Sequence, residues 1–247
     1  SDLNTYTGTT TINAGTIEIG AAGLLGGGSY SGNIANSGSF VFGSNSNQVL
    51  SGNISGTGGI TLTEGQLTLT GTNTADNTFA PLLADATAAT ALTKSGAGAW
   101  LVSGANTFAG PLTLTGATRI NSEAGTLTLS STLGGAFTTV FGGDGNIVVS
   151  GVIGTGGGSV NKADGLGNVT LSGANTFTGG MTVSAGTVTL GNALAAGTGL
   201  ITVIPGANLT LSAAATVSNL AGNGGTVNLG ANQLTLNGTS TNNFYGQ

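Results

Sequence analysis

The sequence predicts an all-β fold of the parallel β-solenoid (β-helix) type. Three observations carry that expectation: a repeated six-residue phrase, apolar-Thr-apolar tripeptides spread along the chain, and a return interval of roughly 20 residues. The phrase is Ser-Gly-Ala-Asn-Thr-Phe, at Ser103–Phe108 and again, offset by 69, at Ser172–Phe177, with a short form at Asn4–Tyr6. A chain that repeats itself is a stack of similar units, because one unit cannot bury its apolar face alone. The repeat-phrase positions Asn4, Tyr6, Asn106, Phe108, Asn175 and Phe177 are therefore structural candidates.

The rungs are legible as tripeptides. Ile17-Glu18-Ile19, Leu67-Thr68-Leu69, Leu127-Thr128-Leu129, Val169-Thr170-Leu171, Val188-Thr189-Leu190, Leu209-Thr210-Leu211, Val227-Asn228-Leu229 and Leu234-Thr235-Leu236 each place two apolar side chains on one face and a polar one on the other. That period of two is the mark of a half-buried strand. Gly or Asn bounds most of them, so the chain turns after about five residues. Glycine supplies positive φ at corners, and asparagine tolerates the same region or bonds its neighbours. Threonine suits the outward side of a pleated surface because β-branched residues favour strands.

Spacing selects the architecture. From Val169 to Val188 the offset is 19, from Val188 to Leu209 it is 21 and from Leu209 to Val227 it is 18, while Ile17 to Phe40 is 23 and Phe40 to Ile60 is 20. A second strand precedes these by seven, as in Thr10 to Ile17, Ile60 to Leu67 and Met181 to Val188, giving strand, corner, strand. Coils of about 20 residues, stacked at roughly 4.8 Å, predict about 12 coils and a rod of roughly 55 to 60 Å. An immunoglobulin-like sandwich needs a hairpin turn roughly every ten residues and gives no reason for a phrase to recur. The expected domain is a single continuous solenoid over 1–247, with an irregular excursion around 76–93. There the alternation gives way to Pro81-Leu82-Leu83-Ala84-Asp85 and a run of Ala and Thr. Pro81 and the alanines allow a short helix, with an extended or looping path as the alternative.

Composition excludes several functions. Charged residues are 4% of 247 and 48 residues are Gly, against roughly 25% charged in ordinary globular proteins. The 38% hydrophobic content at regular spacing rules out disorder. Lys94, Arg119 and Lys162 are all the basic residues, too few for a phosphate-binding stripe or a polybasic membrane patch. Nucleic acid is thus not an expected partner. No apolar run approaches the roughly 20 residues of a membrane helix, so no membrane insertion is expected of this segment. Cysteine is absent, which suits a chain exported through an oxidising compartment.

The stretch Lys162-Ala-Asp-Gly-Leu-Gly-Asn-Val-Thr-Leu-Ser-Gly-Ala-Asn-Thr-Phe-Thr-Gly-Gly-Met-Thr-Val-Ser-Ala-Gly-Thr-Val-Thr-Leu-Gly-Asn192 closely resembles the passenger-associated repeat of bacterial autotransporters. Lys94–Leu114 and Asn4–Gly20 are similar to the same unit. The resemblance implies a right-handed parallel β-helix on the bacterial surface, in a secreted stalk or fibre. The chain has no strand series for an outer-membrane barrel and no inserted protease or lipase domain, so neither export route nor activity carries over.

Chemistry is sparse. There is no His and no Cys, and the basic residues are two Lys and one Arg, so a Ser or Thr nucleophile has no evident base to activate it. Glu64, Asp76 and Asp85 are the carboxylates to consider for glycoside cleavage, and nothing in the sequence places them together. Gly142-Gly143-Asp144-Gly145-Asn146 looks like a calcium turn but carries one acid only. No enzyme activity, metal or cofactor is expected. Trp100 precedes Val169 by the same offset of 69 that separates the two phrases, which predicts an inward position for its indole, packed in the core or stacking a ligand.

The ends suggest a partner. The chain starts at Ser1 without Met or a signal-peptide pattern, as a processed chain or an excerpt does. Its tail, Leu236 to Gln247, begins a unit that it does not finish. The expected partner is a second copy, head to tail, in a surface or matrix filament, with Leu3, Tyr6, Phe244 and Tyr245 at the contact. A blunt coil end offers roughly 300 to 400 Å² per partner, below the standard of about 800 Å². Residues 1 to 8 are therefore expected to cross as an added strand. The alternative is an adhesin stalk binding host or surface glycans. Sugars stack on exposed aromatic rings, but of the 8 Phe, 3 Tyr and 1 Trp several stand at repeat-phrase positions, so few remain for that role.

Overall fold

Among the described residues most coils are triangles of three short strands, and the strands pair in parallel with their counterparts one coil away. The computed structural model describes residues 4–62, 66–69, 77–79, 83–85, 91–94, 100–102, 106–108, 111–240 and 242–247, and from 62 to 110 the backbone alone. Face one holds Thr10–Ile12, Ile34–Asn36 and Ile54–Ser55, and then nine strands from Asn77–Phe79 to Phe244–Tyr245. Face two is one sheet of eleven strands among the described residues, from Thr16–Ala21 to Thr226–Asn228. Face three has seven strands, from Ser29–Tyr30 to Ile153–Gly154, and a later pair, Ala215–Val217 with Leu234–Leu236.

The fold is the predicted parallel solenoid, with a smaller coil count. Eleven strands on the longest face give a rod of about 50 Å at the strand spacing, rather than 12 coils. Some coils are longer than the average used for that count, as between the register partners Ile17 and Phe40, so dividing the chain by a uniform coil length overcounts.

All five spacings read from the sequence are register pairs: Ile17 with Phe40, Phe40 with Ile60, Val169 with Val188, Val188 with Leu209, and Leu209 with Val227. Face two thus sends two apolar columns inward. Leu127, Ile147, Val169, Val188 and Leu209 form one, and Leu129, Val149, Leu171, Leu190 and Leu211 the other, all buried. Each such side chain contributes roughly 1.5 to 3 kcal/mol. Between them Thr128, Val148, Thr170, Thr189 and Thr210 face outward. Asn168 ties that surface laterally: its Nδ2 donates to Thr170 Oγ1 at 3.1 Å, and Thr189 Oγ1 donates to its Oδ1 at 3.0 Å.

The corner from face one to face two requires glycine. At Gly165 φ is +72°, and a Cβ there would strike the carbonyl oxygen of Gly143 one coil earlier. Both constraints exclude a side chain.

Trp100 lies on a different face from the one that its offset to Val169 suggests. Three face-two coils back from Val169 lies Asn106, not Trp100. Trp100 belongs to face one, paired with Asn77 and Ile120. Its register column continues through the buried Ile120 and Phe141. Equal spacing in sequence is not equal phase in the stack, because coil length varies. Within 76–93, Asn77–Phe79, Leu83–Asp85 and Ala91–Lys94 take places in the three faces. The rest of that segment, Pro81 included, lies outside the described residues.

Candidate functional site: a charged corner on an uncharged rod

The repeat phrase has a structural part to play where face three is interrupted. Beyond Ile153–Gly154 that face continues without a strand for two coils, and Asn175 and Phe177 occupy the gap. Asn175 is 3% exposed. Its Oδ1 accepts from the Ile153 N–H at 2.8 Å, one coil before, and its Nδ2 donates to the Ala195 carbonyl at 2.6 Å, one coil after. The amide side chain replaces ladder bonds that buried backbone groups require. Phe177 fills the core beside it, fully buried.

The other copies sit differently. Asn106–Phe108 is a strand of face two, paired with Leu127–Leu129. Asn4–Tyr6 lies outside the strands, where the Tyr6 ring meets Tyr30 edge-on at 5.4 Å between centroids. The Tyr6 hydroxyl bonds Thr10 Oγ1, the Tyr30 hydroxyl donates to the Gly8 carbonyl, and the Gly27 N–H donates to the Asn4 carbonyl at 2.8 Å. Of the four expected interface residues, Leu3 lies outside the described residues and Tyr6 is 40% exposed. Phe244 packs against the core and Tyr245 is 74% exposed. Tyr6 stands at the first coil, and Phe244–Tyr245 is the last strand of face one.

Sequence reading missed a charge cluster. From residue 111 onward the charged residues are Arg119, Glu123, Asp144, Lys162 and Asp164, and all five fall on the corner between faces one and two in three successive coils. The signal was available in the spacings, since Glu123 and Asp144 are separated by the length of one coil. Folding the chain at that period stacks them.

At this corner adjacent coils exchange carboxylate bonds. Asp164 Oδ1 accepts from the Gly143 N–H at 3.3 Å, and Asp144 Oδ1 accepts from the Leu166 N–H at 2.9 Å. Asp164 also pairs with Arg119, two coils away. The guanidinium bond chiefly holds the Asp164 carboxyl below the usual range, against the opposing effect of burial, with the Gly143 N–H helping. The Asn121 amide donates to Glu123 Oε1 at 3.1 Å, while its buried Oδ1 has no hydrogen-bond partner.

Lys162 is the unusual member. It stands in the inward column of Ile120, Phe141, Val183 and Val203 and is 1% exposed. Its ammonium leaves the column at the corner, donating to the carbonyls of Asp164 and of Gly165, the latter at 3.0 Å. Burial pushes its pKa down, and the Asp164 and Asp144 carboxylates oppose that. The chemistry here is cohesion: the carboxylates satisfy backbone groups of neighbouring coils, and the ammonium satisfies carbonyls of its own coil at the corner. Among the described residues no three of His, Cys, Asp and Glu are arranged to hold a metal ion. Of the carboxylates considered for catalysis, Glu64 and Asp76 lie outside the described residues, and Asp85 is placed by its backbone on face two.

A parallel β-solenoid with a sewn corner defines a class of elongated scaffold, and the comparisons with known proteins narrow it. Residues 2–19, 92–122 and 163–190, less than half of the chain, match the passenger-associated-transport-repeat family. It is also similar to the "Adhesin BmaC autotransporter" of Brucella suis biovar 1 (strain 1330), with 44% identity over 87 residues. That match covers 34% of this chain and 2% of the relative's length. No solved structure matches the chain.

Proposed function

We propose that the chain is a non-enzymatic rod segment of a bacterial autotransporter passenger, exported to the cell surface and serving in adhesion. The observation that carries this reading is the coincidence of a parallel coil stack with three passenger-associated repeats along it. The 44% identity to a stretch of an autotransporter adhesin supports it. A rod of stacked coils extends by about 4.8 Å per coil and offers long faces, which suits a stalk.

The test is display. The segment, fused to an autotransporter barrel in a surrogate bacterium, is expected to be antibody-accessible on intact cells and to raise attachment to immobilised glycoproteins. A segment that reaches the surface and leaves attachment at the level of the barrel alone contradicts the adhesive role.

Head-to-tail assembly into a filament is the second reading. In the last described coil Val227 and Leu234 are half-buried and Leu229 and Leu236 are 39% and 42% exposed, an apolar rung that a further coil covers, whether of this chain or of a second copy. Exchange of residues 1 to 8 must first release the bonds of Asn4, Tyr6 and Gly8 to their own first coil. Filaments that persist undiminished in negative stain after deletion of residues 1 to 8 refute that exchange.

A further inference from the structure

One ion pair in the rod skips a coil. Arg119 stands on Thr118–Ser122 and Asp164 lies just beyond Val160–Lys162, with Thr139–Gly142 paired between those two strands. The bridge passes over Gly142. A Cβ at that position would strike the Asp164 carboxylate and lie 2.7 Å from Arg119 Nη2 and 2.7 Å from Asn121 Oδ1. Glycine is therefore the window through which the first coil reaches the third. Asp164 also holds the middle coil directly through the Gly143 N–H, so one carboxylate binds all three coils.

We propose that Arg119, Gly142 and Asp164 form an acid-released staple across three coils, and that this corner is where the rod first opens as pH falls. The groups facing Asp164 are Arg119 from the first coil, the Gly143 N–H and Asp144 from the second, and Lys162 on its own strand. Glu123 sits at the same corner, bonded to Asn121. Protonating Asp164 removes the negative charge that pairs with Arg119 and leaves that guanidinium beside the buried Lys162 ammonium. The two cations at this corner then lack the Asp164 charge that both of them feel. No other charged side chain follows in residues 165–247, so nothing comparable opens there.

The sign follows from the folded Asp164 being more acidic than the unfolded one. Its contribution is present above the unfolded value, about 3.9, and fades as pH falls through the lower folded value. The staple is independent of the adhesive reading, because it concerns cohesion of the rod alone.

Hydrogen exchange measured by mass spectrometry, corrected for intrinsic rates, tests it at pH 7 and pH 3. In the wild-type chain, protection over 118–122 and 139–167 should fall by about fivefold or more, while 187–211 changes little. Asp164→Asn should show the lowered protection already at pH 7 and little further change in acid. Arg119→Met, which removes the bridge from the other coil, should behave the same way, and it serves if Asp164→Asn does not fold. Uniform loss along the rod in acid, or variants indistinguishable from wild type at both pH values, overturns the proposal.

Discussion

Two stretches of the rod share one plan and differ in how their corners are held. Residues 111–165 carry Arg119, Glu123, Asp144, Lys162 and Asp164, and one inward column is broken by a lysine; residues 166–247 carry no charged side chain. In the second stretch Val169, Val188 and Leu209 continue the columns, and uncharged amides such as Asn175 and Asn168 do the cross-coil bonding. Cohesion of the stack therefore does not need charge. What charge adds within residues 111–247 is a local dependence on pH at one corner.

The largest effect that breaks the comparison lies in the uncharged stretch. Phe177→Ala removes a fully buried ring where face three has no strand, and should cost about 3 to 5 kcal/mol. Chemical denaturation of wild type and variant checks this, and an unchanged midpoint contradicts the assigned core role. Asn175→Ala should cost less, about 1 to 3 kcal/mol for each buried backbone group left unpaired, here the Ile153 N–H and the Ala195 carbonyl. Faster amide exchange at Ile153 is its specific signature.

In the charged stretch the next effect has its own pH window, far from the acid opening. Burial lowers the Lys162 pKa, so the unfolded chain keeps this proton where the folded one releases it. Stability from this group rises as pH climbs toward the unfolded value, about 10.4. Lys162→Met takes the donor from the Asp164 and Gly165 carbonyls, so it should cost about 1 kcal/mol or more at pH 7, and should lose that alkaline gain. Thermal melts from pH 7 to about pH 10 measure it. The smallest change is Thr189→Val on the outward surface, which gives up the bond to Asn168 and should stay within about 0.5 kcal/mol.

The fold was legible because its period lies in local patterns. Val-Thr-Leu or Leu-Thr-Leu marks a strand wherever it occurs, on face two at Leu127, Val169, Val188 and Leu209 and on face three at Leu67, Leu112 and Leu234, and the five intervals read between face-two rungs pair in register. The seven-residue offset was ambiguous, since Met181 to Val188 runs from face one to face two whereas Ile60 to Leu67 runs from face two to face three. Phase was not legible. Asn106 and Asn175 belong to the same phrase, yet one begins a strand of face two and the other bridges the gap in face three, because coils of unequal length let identical segments drift around the triangle. The charged corner escaped for a related reason. Arg119 and Asp164 are far apart in sequence and meet only when two coils of the right lengths lie between them.

The parallel stack itself is tested most directly by one distance. Thr128 and Asn228 occupy the same outward column, five coils apart through Val148, Thr170, Thr189 and Thr210. The chain has no cysteine, so Thr128→Cys with Asn228→Cys gives a clean pair for nitroxide labels. Electron–electron double resonance should return a single narrow distribution centred at about 24 Å, five strand spacings of about 4.8 Å. A broad distribution, or one centred far from that value, contradicts a rod of parallel coils in this register.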